Sequence, residues 1–136
     1  MVMNKYIEEQ LLKRFRLLGE MLGYTKSSKR SFGCVSEIYI INKHAIQIEI
    51  DWRENNLFMY LVYLKDGKLP PQNTIYNYDD GHFCRVFIEN IYCVKRPYVK
   101  DTNQRYSEEY LIHCFDFYES LLTNNPEKVI SIQNTW

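Results

Sequence analysis

Side chains that could do chemistry or bind a partner are concentrated in one alternating segment. Within residues 45–53, Glu49, Asp51 and Arg53 alternate with large apolar residues. Strict period-two alternation is typical of a β-strand with one buried face and one solvated face. Two carboxylates and an arginine in one row could serve acid–base catalysis or hold a metal ion. A solvated strand face that only displays charge has the same pattern, so the row by itself does not establish a reaction.

Further acidic residues lie in the corners and loops that follow this strand. Glu54 opens a Glu-Asn-Asn corner, and Asp79-Asp80 lies in a long irregular segment, residues 69–81, that is rich in Tyr and Asn. Loops of this length inside compact domains are often functional. Arginine and aromatic side chains are common energetic anchors in interfaces, and charges set specificity and association rate. The sequence therefore predicts a partner-binding surface made of Glu49, Asp51, Arg53, Glu54, Asp79 and Asp80.

Metal, thiol and nucleotide chemistry are all disfavoured by residue spacing. His82, Cys84 and Cys93 match no common zinc template. Cys114 lies on the apolar stripe of a predicted helix, where a thiol is inert. The glycines form no phosphate-binding motif. The 17 basic residues balance 17 acidic ones, so the chain lacks the charge of a nucleic-acid binder. We therefore expect no metal, no cofactor and no nucleic-acid partner.

The elements that must position these residues are predicted from apolar periodicity. A helical stripe predicts a first helix over about residues 4–22, ended by Gly23, and a polar loop over 25–31. Three consecutive strands follow, and the first corner, Asn42-Lys43, is short enough for a two-residue hairpin. The predicted segments are strands over about 34–41, 45–53 and 57–65, a strand that turns into a short helix over 83–94, and a last main helix over about 107–122.

These elements fit one domain. A chain of 136 residues is long enough to bury a substantial core. We predict a single α+β domain over residues 1–136, with an antiparallel sheet of three or four strands and the N-terminal and C-terminal helices packed on one face. The buried face of the second strand is assigned to Ile46, Ile48, Ile50 and Trp52. The third strand is apolar on both faces, which predicts either a covering layer or a partner on its outer side.

The compartment is inferred from the N-terminus and the cysteines. The first residues become charged within a few positions, no apolar run approaches the length of a membrane span, and the four cysteines form no C-x-x-C pair. We expect a cytoplasmic protein with reduced thiols and no membrane partner.

Three segments together resemble small bacterial immunity proteins, which neutralise a cognate polymorphic toxin. They are a helix ending near LLGEMLGY, a strand meander AIQIEIDWRENNLFMYLVYL, and a C-terminal helix YLIHCFDFYESLLTNNPEKVI. The resemblance implies a cytoplasmic, non-enzymatic binder that occludes a toxin, and it assigns no functional residue. Two alternatives remain open. One is a small enzyme that uses the row of Glu49, Asp51 and Arg53; the other is a structural or adaptor subunit, including a homodimer, that pairs through a sheet edge.

Overall fold

The computed structural model is an antiparallel sheet with helices packed on one of its faces. It describes residues 5–23, 26–31, 35–41, 44–52, 54–70, 84–96 and 108–135. The elements are α1 (Lys5–Met21), β1 (Lys26–Ser31), β2 (Val35–Ile41), β3 (His44–Asp51), β4 (Asn56–Tyr63), β5 (Arg85–Phe87), α2 (Ile88–Ile91), α3 (Glu108–Asn124) and α4 (Glu127–Thr135). The strands pair in the order β1-β2-β3-β4-β5, and each pairing is antiparallel. The predicted α+β class, the antiparallel sheet and the helices at both ends of the chain are confirmed.

The sheet has five strands, one more than the larger predicted number, because the expected polar loop over 25–31 is wrong. Lys26–Ser31 pairs along its whole length with β2. Its sequence, KSSKRS, contains no apolar residue, so no alternation of hydrophobicity could reveal the strand. The prediction for 83–94 is confirmed, since the short strand β5 runs directly into the single-turn helix α2.

The strand register places a corner near each predicted point, although β3 ends at Asp51 and Asn56, predicted as the last corner residue, is the first residue of β4. Ile41 pairs with His44 across the β2–β3 corner, which leaves a two-residue connection. Asp51 pairs with Asn56 across the β3–β4 corner. There, Asn55 adopts a positive φ of 49°, a conformation that asparagine tolerates better than most residues. The first helix ends as predicted, with Gly23 at a φ of 88°.

The main core lies between the inner face of the sheet and the helices. The predicted buried residues of β3 and its corner, Ile46, Ile48, Ile50 and Trp52, are all buried there. They belong to one cluster with apolar residues of β4, α1 and α3. The indole N–H of Trp52 donates to Glu8 Oε1 at 3.0 Å, which satisfies the polar atom that burial would otherwise leave without a partner. The members of this cluster from the helices include Leu11, Phe15, Leu18, Leu22, Leu111, Cys114, Phe115, Tyr118 and Leu122.

The outer face of β3 is not uniformly solvated, so the expectation of one wet face is wrong for its first half. Gln47 is only 6% exposed; its amide donates to Ser36 Oγ at 2.6 Å, and its Oε1 accepts from Arg85 Nε at 3.1 Å. Ile38, Ala45 and Val62 form a second buried cluster on this face. Ile38 and Val62 come from the neighbouring strands β2 and β4, so the alternation within β3 alone could not show this cluster. On the outer face of β4, Val62 is fully buried, whereas Phe58 and Tyr60 are half-buried, so the two alternatives predicted for this face stay open.

Candidate functional site on the outer face of the sheet

The structure brings together half of the predicted binding residues. Glu49 and Asp51 lie two positions apart on the outer face of β3, and Glu54 lies in the corner that follows. Glu49 and Asp51 are half-buried, whereas Glu54 is exposed. The predictions for Arg53, Asp79 and Asp80 fall outside the residues that the structure describes.

Glu49 is held by a tyrosine of the neighbouring strand. The Tyr60 hydroxyl donates to Glu49 Oε2 at 2.8 Å. Burial, followed by the negative charge of Glu49, raises the pKa of Tyr60 well above its usual value. The phenol therefore stays protonated at physiological pH and acts as a fixed hydrogen-bond donor. Its hydrogen bond orients the Glu49 carboxylate.

Asp51 lies on the outer face of β3, as Glu49 does, and its side chain also makes a structural hydrogen bond. Its Oδ1 accepts the backbone N–H of Glu54 at 3.2 Å, a side-chain bond of the kind that Asp commonly forms in turns. The bond fixes the β3–β4 corner and thereby places Glu54 beside the strand. An asparagine at position 51 would keep this acceptor and remove the charge.

Three aromatic rings of β4 and β5 form a cluster beside the carboxylates. Phe58, Tyr60 and Phe87, called here the aromatic cluster, are each half-buried. The centroids of Tyr60 and Phe87 are 4.9 Å apart, those of Phe58 and Phe87 are 5.6 Å apart, and those of Phe58 and Tyr60 are 6.3 Å apart. Glu49 lies directly opposite Phe58 in the register of β3 and β4. The result is an apolar surface bordered on one side by acidic residues.

Arg96 secures this surface at the end of β4 that β5 does not reach. Its Nη2 donates to Asn56 Oδ1 at 2.9 Å and to the Leu57 carbonyl oxygen at 2.8 Å. Its guanidinium carbon lies 4.4 Å from the centroid of the Phe58 ring. The side chain thus satisfies a strand carbonyl and supports an aromatic ring of the cluster at the same time.

A buried polar pair lies behind Arg96, on the helical side of the sheet. The Tyr118 hydroxyl lies 3.0 Å from both carboxylate oxygens of Glu89, and Arg96 Nε lies 3.7 Å from Glu89 Oε2. Glu89 is 7% exposed, and Tyr118 is fully buried. Burial raises the pKa of Tyr118, and the Glu89 carboxylate raises it further against the opposing effect of Arg96. These contacts anchor α2 to α3.

A second concave region lies on the outward side of α3. It has a volume of about 410 Å³ and is bounded by apolar and polar side chains. Its lining comprises Tyr92, His113, Asp116, Phe117, Ser120, Leu121, Asn124 and Asn125. The Tyr92 hydroxyl donates to the Asn125 carbonyl oxygen at 2.6 Å, and burial raises the pKa of Tyr92 to about 12. None of the residues of the predicted binding surface lines this region.

Neither a metal nor a thiol centre is assembled in the part of the chain that the structure describes. Within it, no group of three or more His, Cys, Asp or Glu side chains is placed to hold a metal ion. Cys84 and Cys114 are buried and Cys93 is exposed, each as a free thiol. Burial raises the pKa of the Cys84 thiol, which makes it less reactive. His82 and Cys34 lie outside the described residues.

None of the described helices combines the length and the apolar composition needed to cross a bilayer.

The most important contacts of the site were missed by the sequence analysis. Arg96 lies just beyond the element predicted over 83–94, and Phe87 lies within that element without any signal that marks it as part of a site. The signal that could have pointed to the cluster was the doubly apolar third strand, which places Phe58 and Tyr60 on the outer face.

Comparison with known proteins gives no match to any family model, curated protein or solved structure. Function must therefore be inferred from the geometry of the site.

Proposed function

We propose that the protein is a non-enzymatic protein-binding module, most concretely a cytoplasmic immunity protein that binds and neutralises a cognate bacterial toxin. The observation that carries the proposal is the half-buried aromatic cluster bordered by Glu49, Asp51 and Glu54. Interfaces use aromatic anchors near their centre and a polar rim that selects the partner. An acidic rim fits a partner with a basic surface.

The rigidity of the surface supports the same proposal. Tyr60 is tied to Glu49, Phe58 is supported by Arg96, and β4 pairs with β3 along its whole length. Side chains that are already fixed lose little conformational entropy on binding, so more of the contact energy appears as affinity. Occluding a toxin requires such a preformed surface and no reaction.

The sheet edge offers a second candidate, an adaptor function. The third predicted strand, β4, pairs with β3 along its whole length and with β5 only over Tyr60–Val62. The outer strands of the sheet are β1 and β5, and among the described strands only β2 pairs with β1. Its sequence contains Lys26, Lys29 and Arg30 and no acidic residue. An acidic extended segment of a partner would fit this edge by strand addition.

The proposed function is tested by removing charge while keeping the hydrogen bonds. The variant Glu49→Gln, Asp51→Asn, Glu54→Gln retains an acceptor for Tyr60 and for the corner N–H. The matched control, Glu9→Gln, Asp66→Asn, Glu109→Gln, removes the same charge from exposed positions on other surfaces. Both proteins and the parent are used for affinity capture from the native host. The captured partner is then co-expressed with each protein, and growth is measured.

The expected result is a stoichiometric partner whose toxicity is suppressed by the parent and by the control. The outer-face variant should fold normally, capture less partner and lose protection, and its deficit in capture relative to the parent should shrink as the salt concentration rises. Equal capture and protection by all three proteins would place the interface elsewhere. Capture of a non-toxic partner would refute the immunity function.

A further inference from the structure

We propose that the outer face of α1 is a self-complementary surface through which two copies of the chain form an antiparallel dimer. The inference goes beyond the proposed function and concerns a different surface of the molecule. It rests on the exposure of apolar side chains along α1, on two opposite charges beside them, and on the symmetry of those charges about one leucine.

The large apolar side chains that are most exposed among the described residues are concentrated on α1. Leu17 is 60% exposed and Met21 is 48% exposed. These two residues are one helical turn apart, so their side chains are neighbours and form an apolar stripe. The stripe points away from the main core, because Phe15 and Leu18 of the same helix are buried in that core. A helix on the surface of a monomer usually presents charged and polar residues on this side.

Two exposed residues of opposite charge flank Leu17 beside the stripe. Lys13 precedes Leu17 by about 6 Å along the helix axis, and Glu20 follows it by about 4.5 Å. Lys13 and Glu20 are about two turns apart, so they project in nearly the same direction from the helix. Neither side chain forms an ion pair with another described residue. Both charges are therefore available to a second molecule.

A two-fold axis that crosses α1 at Leu17 would pair both charges and cover the stripe. In such an interface the same surface patch of each copy meets itself. The rotation makes the two copies of α1 antiparallel and exchanges positions before Leu17 with positions after it. Lys13 of each copy then lies beside Glu20 of the other, and the two Leu17 side chains meet at the axis. An axis at Lys13 would bring two ammonium groups together, so the charges favour the register centred on Leu17.

The length of α1 limits the strength of this dimer. A helix of 17 residues is about 25 Å long, so one helix pair buries less than the roughly 1,600 Å² of a standard interface. We therefore expect a dimer in equilibrium with monomer. Residues of α1 pack in the core on the inner face of the sheet. A dimer through α1 thus leaves the aromatic cluster on the outer face accessible in both copies.

The test is sedimentation equilibrium of the full chain and its variants. Concentrations run from about 10 µM to about 1 mM, and a reductant is present because Cys93 is an exposed thiol. Leu17→Gln removes the apolar centre of the stripe and keeps a good helix former. Val94→Gln is the matched control, since Val94 is 40% exposed and lies outside α1. Lys13→Glu and Glu20→Lys each turn both ion pairs into contacts between like charges. Circular dichroism verifies that every variant folds.

The decisive measurement mixes the two charge-reversal variants. Alone, each should associate at least about fivefold more weakly than the parent, because one substitution changes two symmetry-related pairs. Mixed in equal amounts, they should form a heterodimer about as tightly as the parent, because opposite charges then meet at both contacts. The double variant Lys13→Glu, Glu20→Lys should also associate like the parent. Leu17→Gln should weaken association at least about tenfold, and Val94→Gln should leave it unchanged.

Three results would overturn the proposal. The first is a parent that stays monomeric up to about 1 mM, and the second is a dimer that Leu17→Gln does not weaken. The third is a mixture of Lys13→Glu and Glu20→Lys that associates no better than either variant alone, because the antiparallel register requires this rescue. The result is independent of the proposed function, since dimerisation is measured without a partner.

Discussion

Removal of one buried hydroxyl, by Tyr118→Phe, tests the account of the polar pair behind the sheet. Tyr118 is fully buried, so phenylalanine fills the same space and leaves the packing unchanged. The change deletes the donor that lies 3.0 Å from both oxygens of Glu89. Glu89 is only 7% exposed, so water cannot readily replace that donor. The remaining cationic neighbour, Arg96 Nε, lies 3.7 Å away, beyond a good hydrogen bond.

The magnitude follows from these contacts. A hydrogen bond to a charged group contributes about 1.5–3 kcal/mol, and a buried acceptor that loses its donor incurs a cost of the same order. We therefore expect Tyr118→Phe to lower the free energy of unfolding by about 1.5–3 kcal/mol. For a domain of this size, the melting temperature should fall by about 5–10 °C.

The assay is urea denaturation followed by circular dichroism, with Tyr92→Phe as the matched control. The Tyr92 hydroxyl also donates one hydrogen bond, to the Asn125 carbonyl oxygen, but at an exposed position. The control should cost less than about 1 kcal/mol, because water can replace the lost donor. In a Glu89→Gln background the acceptor is neutral, so Tyr118→Phe should cost less than in the parent. The account of the buried pair is refuted if Tyr118→Phe and Tyr92→Phe are equally mild.

Three further outcomes follow from other contacts. Trp52→Ala should lower the free energy of unfolding by about 3–5 kcal/mol, because the ring is 7% exposed within the main core; a thermal melt like that of the parent would contradict its placement. Gly19→Ala should destabilise by about 1 kcal/mol or more, although alanine favours helices, since its Cβ would lie 3.0 Å from Tyr39 Cγ; an increase in the urea midpoint would show that the α1–β2 contact is looser. Burial, followed by the hydrogen bond to Glu37, raises the pKa of Tyr39 from 10.0 to about 12. The folded-state pKa of Tyr39 exceeds the unfolded value, so the protonated hydroxyl and its hydrogen bond stabilise the folded protein. This contribution is fully present below pH 10.0 and is lost as the pH rises toward about 12. Tyr39→Phe should flatten that alkaline loss in urea titrations at successive pH values, and an unchanged slope would contradict the assignment.

The elements with a strong local pattern could be predicted from the sequence. The helical stripe of α1, the alternation of β3 and the glycine after the first helix each depend on residues close in the chain. Each of these elements buries one face in the folded protein, and this burial requires apolar residues at a regular spacing that can be recognised in the sequence. The inner face of the sheet was assigned correctly for the same reason.

The parts that could not be predicted depend on neighbours that are distant in sequence. Gln47 is polar by type, yet it is buried because Ser36 and Arg85 satisfy its amide from two other strands. Arg96 meets Leu57 and Asn56 only because β5 stops short of that end of β4. The strand β1 is stabilised by pairing with β2, while its own composition favours a loop. No window of local sequence contains this information.

The composition of β1 has a consequence for the solubility of the chain. A protein with equal numbers of basic and acidic residues, 17 of each, gains little protection from overall charge repulsion between copies. The unpaired backbone of an edge strand is where copies of a protein most readily associate into aggregates. Here that strand contains three cationic residues and no acidic one, so two copies that approached edge to edge would bring six positive charges together. The cationic composition of β1 therefore disfavours edge-to-edge association of two copies through this strand.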